Sequence, residues 1–151
     1  MATSAPSASE LAWAAASKRT PGVKIIVSEK MAAWLMDSFA GNHMTGDRSL
    51  LVNIVPVNNQ VVGAGNGRGL SVHGIGSVIT EDVVLSNVWY VPGLHMNLVS
   101  VDQLTTDHDL IIKMAGTVCL VTKMSDGSEV GRAHLRSDYK YEVDSLIVQQ
   151  N

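Results

Sequence analysis

The sequence predicts an all-β domain, and three observations carry that expectation. Short runs rich in Val, Ile and Leu recur between turn residues. Glycine is dense between positions 63 and 76. Beyond the first 32 residues, a single short segment has helical spacing.

The elements follow in order. Pro21-Gly22 closes an Ala/Ser-rich leader, and the β-branched run 23–27 opens the β-like part. Residues 32–36 are apolar and end at Asp37, while 50–57 and 60–62 are rich in Val and Ile. Then comes "GAGNGRGLSVHGIG", residues 63–76. Such glycine density does not suit a helix interior and predicts a mobile hairpin or loop between strands. A phosphate cradle is the sharper reading of these glycines, but no Lys-Ser/Thr follows and no helical pattern opens after them.

Residues 76–79, 83–85 and 88–91 continue as strands until Pro92-Gly93 breaks the run. Within 97–104, Leu98, Val101 and Leu104 have helical spacing and Asn97 suits the cap, which predicts one short helix there. A meander completes the chain over 110–114, 117–123, 129–135 and 139–143. Ser125-Asp126-Gly127 supplies a hairpin turn within it.

Composition excludes several classes of function. The chain has 151 residues, 46% of them apolar, enough for one domain with a core. No apolar run approaches the ~18 residues of a membrane span, so no membrane partner is expected. A formal net charge of −3 argues against a protein built to neutralise nucleic-acid phosphates. The single cysteine, Cys119, permits no internal disulfide and suits a reducing compartment. His43, His73, His95, His108 and His134 are scattered without ligand spacing, so neither a metal nor another cofactor is expected.

The leader, residues 1–32, lacks the apolar core of a secretory signal. It reads either as a flexible segment with a short helix over 9–17, leaving the protein cytoplasmic, or as a transit peptide for a mitochondrion or plastid. Residues 33–146 form the domain and 147–151 a tail.

The chemistry concentrates in "WLMDSFAGNHMTGD", residues 34–47. An Asp-Ser pair leaves an apolar run and enters a turn of small residues. Alone it is an ordinary strand-ending turn. Followed by "GNGRGLSVHGIGSV", "VWYVPGLHMNLVSVDQL" and "YKYEVDSL", it resembles in order and spacing the protease domain of copia-type retrotransposon polyproteins. The resemblance covers residues 33–146. It implies a retropepsin-like aspartic protease fold, a closed β-barrel-like domain with one short helix, expected as a homodimer.

The family's catalytic Asp-Ser/Thr-Gly-Ala loop corresponds to Asp37, Ser38, Phe39 and Ala40. Its flap corresponds to a glycine-rich hairpin within residues 57–69, around Gly63, Gly65, Asn66 and Gly67. Residues 90–94 and the following helix resemble the family's second loop and the helix beneath the active site.

An aspartic protease needs two carboxylates sharing a proton, one acting as acid while the other activates water. This chain has one such loop and is too short for two lobes, so a dyad requires two copies meeting on a two-fold axis.

The departure from the family is Phe39, the chain's one phenylalanine, at the glycine position. Two outcomes are open. The loop keeps the glycine conformation, at roughly 1–2 kcal/mol for a left-handed backbone, with the rings crowding the cleft. Otherwise Gly41 takes over the turn and the ring points into the apolar base. The leading reading is an impaired protease working as a dimerising, protein-binding module, with a polypeptide or host protein as partner. The rivals are an active aspartic endopeptidase that cuts itself or a polyprotein, and a decayed open reading frame. The remaining features read as structural: His43-Met44 and Trp89-Tyr90 as packing, and Asp102, Asp107 and Asp109 as a solvated helix end.

Overall fold

A computed structural model of the chain describes residues 33–63 and 69–149. The leader, including the expected helix over 9–17 and the run 23–27, lies outside the described residues. So do Gly65, Asn66 and Gly67 of the expected flap.

Among the described residues the domain is all-β with one short helix, as the sequence predicts. Twelve strands are formed among them: β1 (Trp34–Asp37), β2 (Met44–Thr45), β3 (Val52–Pro56), β4 (Val61–Gly63), β5 (Gly69–Ser71), β6 (Gly74–Ile79), β7 (Val83–Tyr90), β8 (Asn97–Ser100), β9 (Leu110–Ala115), β10 (Val118–Lys123), β11 (Glu129–Leu135) and β12 (Tyr141–Ile147). Helix α1 (Val101–Asp107) follows β8, and a 3-10 turn covers Arg48–Leu50. The meander β9–β12 pairs antiparallel throughout, as its turns require.

Two boundaries differ from the sequence expectation, each for a local reason. The helix does not begin at Asn97. Residues 97–100 are drawn into strand β8 by parallel pairing with β1, from Trp34↔Asn97 to Asp37↔Ser100. The cap is Ser100, whose hydroxyl accepts from the Gln103 N–H. Residues 83–85 and 88–91, read as separate runs, belong to a single strand and its end. Gly76↔Val88 and Val78↔Leu85 leave an extra residue on β7, and Asn87 takes a φ of 55° there. This bulge shifts the inward positions from Val83 and Leu85 to Val88, which breaks the two-residue alternation.

Ten strands join in the order β3-β6-β7-β2-β8-β1-β12-β11-β10-β9, and β4-β5 form a separate hairpin. One edge of β12 is shared. Glu142 pairs with Leu35 of β1, and further along Leu146 and Ile147 pair with Val83 and Val84 of β7. The pairings β7-β2-β8-β1-β12-β7 therefore run in a closed circuit.

Strands β1 and β8 are central because both of their faces are covered. Trp34 and Val99 face a large core with Val78, Leu85, Leu104 and Leu146. Leu35 and Leu98 face a smaller core with Met44, Val72 and Val91. Strands buried on two faces read as continuous apolar runs, which is why "WLM" and "NLV" show no alternation. Ile147 lies on β12 and Val148 is buried in the larger core.

Strand β2 is held so tightly against the turn after β7 that residue 46 has no room for a side chain. A Cβ there would lie 1.7 Å from the Leu94 carbonyl oxygen. Gly46→Ala is expected to destabilise the domain by ~2–3 kcal/mol, as forced overpacking against backbone does, measured by urea denaturation.

Candidate functional site

Strand β1 delivers Asp37 to the start of the loop. Asp37 is half-buried, Ser38 and Phe39 are exposed, and Ala40 is buried. The turn is made by the aspartate itself, whose Oδ1 accepts the Phe39 N–H at 2.7 Å. Neither Phe39 nor Gly41 has a positive φ. Neither sequence-level outcome therefore holds. No left-handed strain is stored at Phe39, Gly41 does not substitute for the missing glycine, and the ring is 97% exposed rather than packed into the base.

The far end of the loop is anchored by a buried polar seam. Ser100 Oγ donates to the Ala40 carbonyl at 2.6 Å, and Ser100 N–H donates to His43 Nδ1 at 2.9 Å. Gln103 accepts the His43 N–H at 2.7 Å and donates toward the Asn87 carbonyl at 3.3 Å. Asn42 Nδ2 donates to the carbonyls of His43 and Asn87, both at 2.8 Å. Thr45 Oγ1 donates to Asn97 Oδ1 at 2.6 Å, and Asn97 Nδ2 reaches the Ala33 carbonyl at 3.1 Å. The loop is thereby tied to the bulge of β7, to β8 and to the first turn of α1.

His43 is packing, as expected from sequence, but it is also the hub of this seam. Its Nδ1 accepts, so the neutral ring carries its proton on Nε2. That atom is buried and meets no partner among the described residues. Burial, with His108 nearby, lowers its pKa from 6.5 to about 3.

Beside the loop lies a cleft of about 420 Å³. Met36, Met96, Leu98, Ile112 and Met114 give it apolar walls, and Tyr139 and Phe39 stand at it. Among the described residues lining it, Asp37 is the one carboxylate and Lys140 the one lysine or arginine. Cys119 also lines it, and burial pushes its thiol pKa up. Among the described residues no group of three His, Cys, Asp or Glu side chains could hold a metal.

Gly63 ends β4 of the hairpin expected as the flap. Val62 and Leu70 of that hairpin pack on the small core, whose Leu35, Met96 and Leu98 face the cleft. Trp89 packs on the small core and Tyr90 on the large one. Asp102, Asp107 and Asp109 are exposed around the helix, as read from sequence.

Asn42, Asn87, Ser100 and Gln103 were not legible as site residues. A serine ending an apolar run before Asp-Gln is a helix-cap signal, yet nothing local reveals that its hydroxyl also holds Ala40, 60 positions away.

Two outcomes are expected. Ser100→Ala removes the helix cap and the Ala40 anchor together and should cost ~1–3 kcal/mol, with faster amide exchange over residues 40–43. For His43, the unfolded chain takes up a proton near pH 6.5 while the folded chain resists it until about pH 3. Its contribution to stability is thus complete above pH 6.5 and falls as pH falls through that window, by up to ~1.4 kcal/mol per pH unit. Urea midpoints between pH 6.5 and 4.5 should show this slope in the natural chain and lose it in His43→Asn.

Among the described residues no helix is long and apolar enough to cross a membrane. Comparison with solved structures gives no significant match. The transposon Ty5-1 protein of Saccharomyces cerevisiae is 32% identical over 76 residues, which are 50% of this chain and 52% of that protein. The chain thus spans about half the length of this curated relative. A family described as "Pol polyprotein, beta-barrel domain" matches residues 34–110, just over half of the 151. That stretch contains the Asp37 loop, the hairpin, the bulged strand and the β8–α1 junction, and the chain belongs to the Pol polyprotein beta-barrel domain family.

Proposed function

We propose that this retrotransposon-type Pol domain is a retropepsin-like module impaired in proteolysis, which pairs with a second copy and binds polypeptide. The observation that carries this reading is the make-up of the cleft. One copy brings a single carboxylate, Asp37, to an apolar groove, and an aromatic ring occupies the next position but one. A hydrolytic dyad needs a second carboxylate from another copy, brought within hydrogen-bonding distance. Two loops tipped by phenylalanine meet with bulk where glycine would let them close. What remains is a methionine-rich groove, an adaptable surface for an extended peptide or a host protein. The cytoplasm is the compartment this reading assigns, with a mitochondrion or plastid as the alternative carried by the leader.

One observation favours the second reading, an active homodimeric aspartic endopeptidase cutting itself or a polyprotein. The Phe39 backbone is unstrained, its ring is turned outward, and its N–H orients the Asp37 carboxylate. The chemical groups are therefore intact, and only their approach across the axis is obstructed.

A peptide-cleavage assay at mildly acid pH and high protein concentration separates the two. The natural chain is expected to cleave little or not at all, and Phe39→Gly to recover part of the activity. A carboxylate displaced by ~1 Å loses ~100-fold in rate. Asp37→Asn should abolish cleavage in either background. Robust cleavage by the natural chain that vanishes with Asp37→Asn would establish the endopeptidase instead.

A further inference from the structure

We propose that Phe39 is a reciprocal plug: in a two-fold pair, each copy seats its Phe39 ring in the Asp37 cleft of the other. This rests on the dimeric reading above: the plug fills the cleft while the two copies are paired, so a polypeptide enters the same groove only when the pair opens.

The chain carries both halves of the contact side by side. The knob is Phe39, 97% exposed at the tip of a loop whose base is fixed by Asp37 and Ser100. Phe39, Tyr139 and Met114 are all exposed around the same cleft, and such clustering of exposed apolar side chains, unlike a lone one, marks a contact surface. The hole is the adjacent cleft of about 420 Å³, large enough for one ring. Three of the chain's seven methionines, Met36, Met96 and Met114, line it, and flexible thioethers adapt to an inserted aromatic. A knob beside its own hole, on one surface, is what an isologous contact requires.

The opposite rim is also built for contact. Tyr139 is 84% exposed with a φ of 65°, a left-handed backbone that a non-glycine residue adopts at a cost. The turn holding it is braced. Arg136 N–H donates to the Lys140 carbonyl at 2.8 Å, and the Arg136 guanidinium pairs with Asp138 at 3.0 Å and Glu142 at 3.4 Å. Lys140 has no ion-pair partner among the described residues. The cleft thus offers one free cation and one carboxylate. A two-fold axis can set Asp37 of each copy against Lys140 of the other, relieving the repulsion of two carboxylates near the axis.

The size of the contact sets its strength. Two aromatic side chains of ~150–250 Å² each fall well short of the ~800 Å² per partner of a standard interface. The pair is therefore expected to be weak and reversible. The plug also links pairing to accessibility. Removing the ring opens the cleft and loosens the pair together, so any activity of Phe39→Gly per unit protein rises with protein concentration.

Sedimentation equilibrium from 5 to 300 µM tests this on the full chain. Expected is a reversible monomer–dimer equilibrium for the natural chain. Phe39→Ala should weaken it at least 10-fold, Phe39→Trp should retain it, and Met114→Asp, in the cleft wall, should weaken it as Phe39→Ala does. Far-UV circular dichroism should be unchanged in all three. A Phe39→Ala or Met114→Asp chain that dimerises as tightly as the natural one overturns the plug and leaves the dimeric reading standing. A natural chain that stays monomeric at 300 µM overturns both.

Discussion

The structure depends on one buried junction, where the loop after β1 meets the start of α1. Ser100 ends a strand, caps the helix, donates to the Ala40 carbonyl and supplies an N–H to His43. Each bond is ordinary in strength. Together they replace the water that the loop's backbone groups would otherwise demand inside a closed structure. Apolar packing does not specify where a loop's carbonyls sit. Directional bonds between Ala40, His43, Asn87, Ser100 and Gln103 do, and they hold the aspartate's loop in one position relative to the helix.

The topology makes such a junction necessary. Strands β1 and β8 run parallel between two cores, so the buried Ala40, Asn42 and His43 after one strand lie against Ser100 and Gln103 at the end of the other. One strand is followed by a loop and the other by a helix, and both expose unpaired backbone groups there. The seam satisfies the Ala40 carbonyl and the N–H groups of His43, Ser100 and Gln103, while the ring proton on His43 Nε2 meets no partner among the described residues. A carboxylate placed at this spot is rigidly presented without being part of the seam. The Asp37 side chain makes the turn but takes no part in the seam, so the bonds that anchor the far end of the loop do not depend on it.

That separation explains how a retrotransposon polyprotein domain can tolerate phenylalanine where its family resemblance places glycine. The loop turns on the aspartate's own side chain, and Phe39 sits on the solvent side with an unstrained backbone. Phe39 stands 97% exposed on an anchored loop, so it bears on what can approach Asp37 and not on whether the loop folds.

The all-β class, the single helix, the hairpin turns of the meander and the position of Asp37 at the end of a strand were legible in the sequence. They depend on local propensity, turn chemistry and short-range patterning. Three things were not. Residues 97–100 have helical spacing, yet pairing with β1 outweighs it. The bulge at Asn87 disguises one strand as two, because an extra residue inverts the alternation. The left-handed strain expected at Phe39 is absent, because a side chain two residues earlier makes the turn. In each case the deciding contact joins groups whose relation cannot be read from propensity alone. Trp34 is 63 positions from Asn97 and Ala40 is 60 from Ser100. The sequence determined which chemical groups this domain carries. The tertiary structure alone decided that Asp37 and the exposed Phe39 stand at one apolar cleft, because cleft and seam exist only once β1 and β8 lie side by side.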